Sequence, residues 1–337
     1  TTAQAGVLTS VQTPGLKSTQ VGALESVDLQ QIKTSAFAVL GTGVMANLDS
    51  TQMGALTTAQ VTALTTAQAS TLTSVQTAGI TTSQAVGLES SDLNKLTTNA
   101  FAAMGPDVVA KLSSVQVGAL LSTQITALTT AQAAQLTNVQ TVGITTSQVG
   151  GLESGDLSQL TTSAFAAMGP DVVAKLSSVQ VGALLSTQIT ALTTAQAAQL
   201  TNVQTVGITT SQVGGLESGD LSQLTTSAFA ALTPSVAATL TSVQVGALQP
   251  SQVAALTTGQ AAQLKAKGIT TDQTGSLQTG ALSKLMTSAF EAIGTGVVAG
   301  LSSDQVVSLT SAQVTALTTD QAGALTNVQT VGITTSQ

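Results

Sequence analysis

Histidine, cysteine, arginine, tryptophan and tyrosine are all missing from these 337 residues. Without histidine there is no ordinary general base near neutral pH and no imidazole ligand for zinc, copper or haem. Without cysteine there are no thiolate nucleophiles, iron–sulfur ligands or disulfides. Without arginine there is no bidentate clamp for carboxylate or phosphate. Serine and threonine are abundant but have no histidine to activate them, and the eight lysines fall at no spacing that suggests a catalytic pocket. The expectation is a protein that is not an enzyme, with no catalytic, cofactor-binding or metal-binding residues and no cofactor.

Charge is scarce as well. Charged residues make up 7% of the chain, against roughly 25% in a typical globular domain. The net charge of −7 and the pI near 4.3 leave no basic stripe to displace counterions from nucleic acid. The mean hydropathy is +0.38, yet Thr, Ser, Gln or Gly interrupts every apolar run before the roughly 18 residues that would suggest a membrane span. The chain opens and closes inside a repeat unit with no initiating Met or targeting segment, as expected of a window on a longer polymer.

What is present is a ruler. Leu8, Leu16, Leu24, Ile32, Leu40, Leu48, Leu56, Leu64 and Leu72 recur every eight residues, and the series continues through Met104, Ile144, Met168 and Ile208 to Leu264. One unit, Leu264 to Gly268, is three residues short, after which the ruler restarts at Ile269 and runs to Ile333. Counted from that aliphatic residue, the octad reads L-T-[TS]-x-Q-V-x-[AG]. A second period lies above it. Phe37, Phe101, Phe165 and Phe229 are 64 residues apart and Phe290 follows 61 later, all at position 6. Residues 96–159 and 160–223 differ only in Asn99 against Ser163. Such identity implies recent duplication and a role that depends on copy number. The chain is therefore expected to be one continuous array over 1–337 with no separate globular domain.

Each octad carries the signals of a short helix. Thr at position 2 with Gln at position 5 forms a capping box, in which the hydroxyl accepts from a free amide and the Gln reaches back to the cap's own N–H. Leu at position 1 and Val at position 6 form the hydrophobic staple; Leu56, Thr57, Gln60 and Val61 show both features. Pro106, Pro170, Pro234 and Pro250 all occupy position 3, the first helical residue in this register, where a missing N–H costs nothing. Where position 2 is Glu, Lys or Leu, as at Leu121, the hydroxyl at position 3 is expected to cap and to shift the helix start by one.

So short a helix is unstable alone and must bury its aliphatic stripe against neighbouring units. The fold expected is an all-α solenoid of very short capped helices, one per octad, with a Thr/Ser/Gln surface and small residues at position 8 allowing close approach. A β-solenoid is the alternative, because Thr and Val favour strands.

Three sets of residues invite a functional reading. Glu25/Asp28, Glu89/Asp92, Glu153/Asp156 and Glu217/Asp220 recur every 64 residues in L-E-S-x-D-L or a close variant. Two carboxylates are few against the roughly six to eight oxygens of calcium, so they read as first-turn acids favoured by the helix dipole, with Asp replacing Gln. Asp107/Lys111 and Asp171/Lys175 stand at i,i+4 and are expected to form modest surface pairs. The five phenylalanines and the methionines read as core.

The string L-T-x-x-Q-V-x-A-L, as at Leu56–Leu64, resembles the octad-repeat regions of very large bacterial surface and secreted proteins, some of them adhesin-like or labelled haem-utilisation proteins. The resemblance covers the whole chain and implies export and a place at the cell surface or in extracellular matrix. With no His, Cys or Tyr, haem binding does not carry over. The same string is similar to the opening of transcription-activator-like effector repeats, but those repeats are much longer and sit on a basic scaffold. The functional expectation is an extracellular filament, sheath or surface layer whose partner is itself, together with other surface or matrix components. The alternative is the stalk of a large adhesin whose binding head lies elsewhere.

Overall fold

The structure, a computed structural model, describes residues 1–264, 268–335 and 337. Lys265, Ala266 and Lys267, the middle of the short unit, lie outside the described residues. The described chain is all-helical, with short helices in regular succession and no strand, so the helical reading of the octad holds over the β-solenoid. It divides into two compact units, Thr1–Lys175 and Leu176–Gln337.

The α-helices are four to six residues long and begin at position 3. In Thr58–Thr62 the capping box forms as the sequence indicates: Thr57 N–H donates to Gln60 Oε1 at 2.9 Å, and Gln60 N–H donates to Thr57 Oγ1 at 3.2 Å. Pro106, Pro170, Pro234 and Pro250 each open their helix. The expected shift of the helix start does not occur. Lys17, Glu25, Glu89, Leu121, Leu185 and Gln249 all sit at the cap, and each helix still begins one residue later. At Leu121 the start is fixed by the other half of the box, since its N–H donates to Gln124 Oε1 at 2.9 Å. The register is set by what positions 5 and 6 bury, and a hydroxyl at position 2 is dispensable.

Within each unit, helices pack on the element three octads further along. Ser26–Gln31 packs on Ser50–Ala55, and Thr130–Ala134 on Ser154–Gln159. In the second unit Thr194–Gln199 packs on Ser218–Gln223, and Ser303–Val307 on Asn327–Gly332. The repeat therefore coils with three octads per turn. Positions 1 and 6 fill the interior, as in Leu56 and Val61, and all five phenylalanines are fully buried.

Position 5 is also inside. Gln60, Gln124, Gln132, Gln188 and Gln252 are at most 1% exposed, so the glutamines are not part of the polar surface the sequence suggested. Their amides are bonded on both sides. Oε1 accepts from the cap N–H of its own helix, while Nε2 crosses to the preceding turn. Gln60 Nε2 donates to Leu29 O at 2.7 Å and Ile32 O at 2.8 Å, 31 and 28 residues earlier. Gln124 repeats this with Leu93 O and Leu96 O, and Gln252 with Leu221 O and Leu224 O. The acceptors are carbonyls at a helix C-terminus and the junction after it, groups that a short helix cannot satisfy internally. Past the short unit, which has Gly268 at position 5, the pattern resumes: Gln273 donates to Val245 O and Leu248 O, now 28 and 25 residues earlier.

Turns approach closely at a recurrent glycine pair, and again at Gly87, Gly151 and Gly215. A Cβ on Gly118 would lie 2.9 Å from Gly143 O, and a Cβ on Gly143 would fall inside the Ser114 carbonyl. Gly54 with Gly79 and Gly182 with Gly207 repeat the arrangement. No glycine among the described residues has a positive φ, so these residues serve proximity and not an unusual backbone angle.

Two stability outcomes follow for urea unfolding. Gln132→Ala strands the cap N–H and the Phe101, Ala102 and Met104 carbonyls of the preceding turn, and is expected to cost about 2–4 kcal/mol; Gln132→Glu, which keeps the shape but turns the donor into an acceptor, is expected to be no better at pH 7. Gly143→Ala is expected to cost about 1–3 kcal/mol through overpacking, whereas Gly150→Ala, with nothing within 4 Å of the added Cβ, is expected to be nearly neutral.

Candidate functional site

The acidic octads place their two carboxylates in different environments. Glu89, Glu153 and Glu217 cap their helices with exposed side chains, while Asp92, Asp156 and Asp220, at the third helical position, are 3%, 4% and 4% exposed. The pair therefore does not converge on one point, and no cluster of three or more His, Cys, Asp or Glu residues that could hold a metal occurs among the described residues. The aspartates do lie in the first turn as the sequence implies. Their burial was not legible from it.

Aspartate at position 5 interrupts the glutamine pattern. No glutamine amide reaches Leu64, Leu128 or Leu192, because the residue 28 positions later is Asp92, Asp156 or Asp220. Asp92 Oδ2 and Asp156 Oδ2 are buried with no hydrogen-bond partner. Burial pushes the Asp92 carboxyl up to about 6, helped by the charge on Glu89. Asp156 is raised by burial and by Glu153, against a hydrogen bond from Thr130. Asp220 is raised by burial, with a hydrogen bond from Thr194 opposing and Glu217 adding. Asp28 differs in that the Thr1 ammonium lies 3.8 Å from its Oδ2.

The two Asp–Lys pairs are not formed. The single ion pair among the described residues is that of Thr1 with Asp28. The helix carrying Asp107 ends at Val109, so Lys111 lies past its last turn and an i,i+4 spacing no longer means a shared face. The same holds for Asp171 and Lys175.

Two open clefts follow the 3₁₀ turns that replace an α-helix in some octads. One, of about 530 Å³, lies in the first unit between Val86–Ser91 and Lys111–Gln116. The other, of about 570 Å³, lies in the second between Gly275–Thr279 and Gly300–Gln305. Their buried polar side chains, Gln116 and Gln305, are already bonded to carbonyls of the turn before. The remaining walls are aliphatic residues, serines and threonines with isolated charges, and no nucleophile, base and acid meet in either.

An array of short, mutually dependent helical units with no convergent reactive groups defines a solenoid-like tandem-repeat protein. The ALTTAQ repeat family matches residues 21–58 and 290–327, one stretch in each unit. The hexapeptide itself stands at Ala55–Gln60, Ala63–Gln68, Ala127–Gln132 and Ala191–Gln196. No curated protein matches the chain. No helix among the described residues is long and apolar enough to cross a membrane.

Because Asp107 and Lys111 are solvated and apart, Asp107→Asn and Lys111→Gln are each expected to change unfolding free energy by less than about 0.5 kcal/mol in urea titrations.

Proposed function

We propose that this chain is a structural segment: repetitive material of an extracellular bacterial filament, sheath or surface layer, associating with copies of itself. The observation that carries the reading is the use of the interior. The buried position-5 glutamines and position-6 threonines join one turn of the coil to the next, and none is arranged for chemistry on a ligand. Low charge supports the same reading, because weak repulsion lets like surfaces meet.

The exposed face offers apolar contact of a repeated kind. Val115, Val139 and Val142 are 73%, 61% and 61% exposed, and their helices pack three octads apart, so they share one side of the first unit. Val179, Val203 and Val206 repeat the set in the second. Export and a cell-surface location rest on the resemblance of the octad to those of large secreted and adhesin-like proteins. The second reading, a stalk for an adhesin head, draws on that same resemblance and on the absence of a convergent site in the segment itself.

Negative-stain electron microscopy of the purified chain separates the two. Filaments or ordered sheets are expected, with loss of assembly in the Val115→Ser, Val139→Ser, Val142→Ser triple variant at unchanged helical circular dichroism. Monodisperse particles at all concentrations would sink self-assembly and leave the stalk.

A further inference from the structure

We propose that Asp92, Asp156 and Asp220 are proton-operated joints in the cross-turn hydrogen-bond ladder, short of a donor to the preceding turn when the carboxylate is charged and supplied with one when it is protonated. The geometry comes first. These aspartates occupy position 5, where glutamine in most octads places an NH₂ among backbone carbonyls of the preceding turn, and where Ala or Val stands in the two octads that follow each aspartate. A carboxylate there has no proton to donate, and the two unpartnered buried Oδ2 atoms are the direct sign of the mismatch. A carboxylic acid carries one O–H and so recovers one donor of the two that the amide supplies. Protonation adds a hydrogen to a carboxyl oxygen and removes a buried charge; it requires only solvent as the source.

Little else nearby could titrate in its place. Asp92 lies on Ser90–Leu93, which packs between Thr66–Ala69 and Ser114–Gly118, and neither helix holds an ionisable side chain. Asp220 lies on Ser218–Gln223 between Thr194–Gln199 and Ser242–Gly246, again without one. Asp156 packs on Thr130–Ala134, where Thr130 faces it. The nearest charges are the exposed Glu89, Glu153 and Glu217 at the caps, which disfavour a second negative charge beside them.

The direction of the pH effect follows from linkage. A carboxyl whose folded value lies above its unfolded one stabilises the fold fully below the unfolded value and loses that contribution as pH rises through the folded value. For Asp92 the window runs from 3.8 to about 6. Mild acidification from neutrality should therefore tighten the coil, opposite to the usual acid destabilisation of paired carboxylates.

The test is thermal unfolding of the full chain, followed by circular dichroism between pH 7.5 and 5. The midpoint is expected to rise as pH falls, by about 2–4 °C from Asp92, with Asp156 and Asp220 acting in the same direction. The Asp92→Asn, Asp156→Asn, Asp220→Asn triple variant is expected to melt higher than the parent at pH 7.5 and to lose the rise. A variant that keeps the full rise would overturn the proposal. So would a parent whose midpoint is lifted at pH 7.5 by calcium chloride, which would make the site a cation site. Infrared spectroscopy of the parent chain needs no variant: buried acid carbonyl bands growing in near pH 6 support the joints, and carboxyls that all protonate together in the ordinary carboxylate range refute them.

Discussion

The buried amide of the position-5 glutamine is the interaction on which this fold depends. A helix of four to six residues leaves almost every backbone donor at its start and acceptor at its end unpaired. One Gln side chain answers both needs at once, by accepting from the N–H that opens its own helix and donating to carbonyls that close another, about a turn earlier. Gln132 shows it fully: Oε1 takes Thr129 N–H at 2.9 Å, while Nε2 reaches Phe101 O, Ala102 O and Met104 O at 3.4, 3.2 and 2.7 Å. The same amide fixes the distance between turns, so the spacing of the coil and the satisfaction of its backbone are one constraint.

This explains why so plain a composition suffices. With position 5 committed to the backbone, positions 1 and 6 need only be aliphatic to complete the interior, and positions 2 to 4 are free to vary. Thr at position 6 extends the logic where it occurs: Thr77, Thr141 and Thr205 are fully buried and donate to Ala100 O, Ala164 O and Ala228 O at 2.6, 2.6 and 2.7 Å. They too bond across turns, from the opposite direction along the chain.

Much of the local structure was legible in the octad. Thr57 and Gln60 announce the cap, Leu56 and Val61 the staple, Pro106 the first helical residue and Phe101 the core, because each of those signals acts within a few residues of itself. Three octads per turn and the burial of glutamine were not legible, since the second half of the Gln60 amide bonds residues 28 and 31 positions away and no local pattern encodes the distance. The burial of Asp92 was hidden for the same reason: position 5 looks solvent-facing until the neighbouring turn is in place. Asp107 and Lys111 failed differently. Their spacing assumed a helix long enough to bring i and i+4 together, and a four-residue helix is not.

The two periods of the sequence do not mesh. A coil turns once in three octads, whereas the duplicated block is eight octads long, so each block ends two-thirds of the way round. Phe37, Phe101 and Phe165, equivalent residues within the first unit, consequently stand on three different sides of the coil, as do Asp28, Asp92 and Asp156. The mismatch works as a vernier. Whatever one block carries, copying the block presents it next at a fresh azimuth, and three copies complete the circuit. Lengthening such a gene by duplication thus distributes a feature evenly around the axis instead of piling it along one edge.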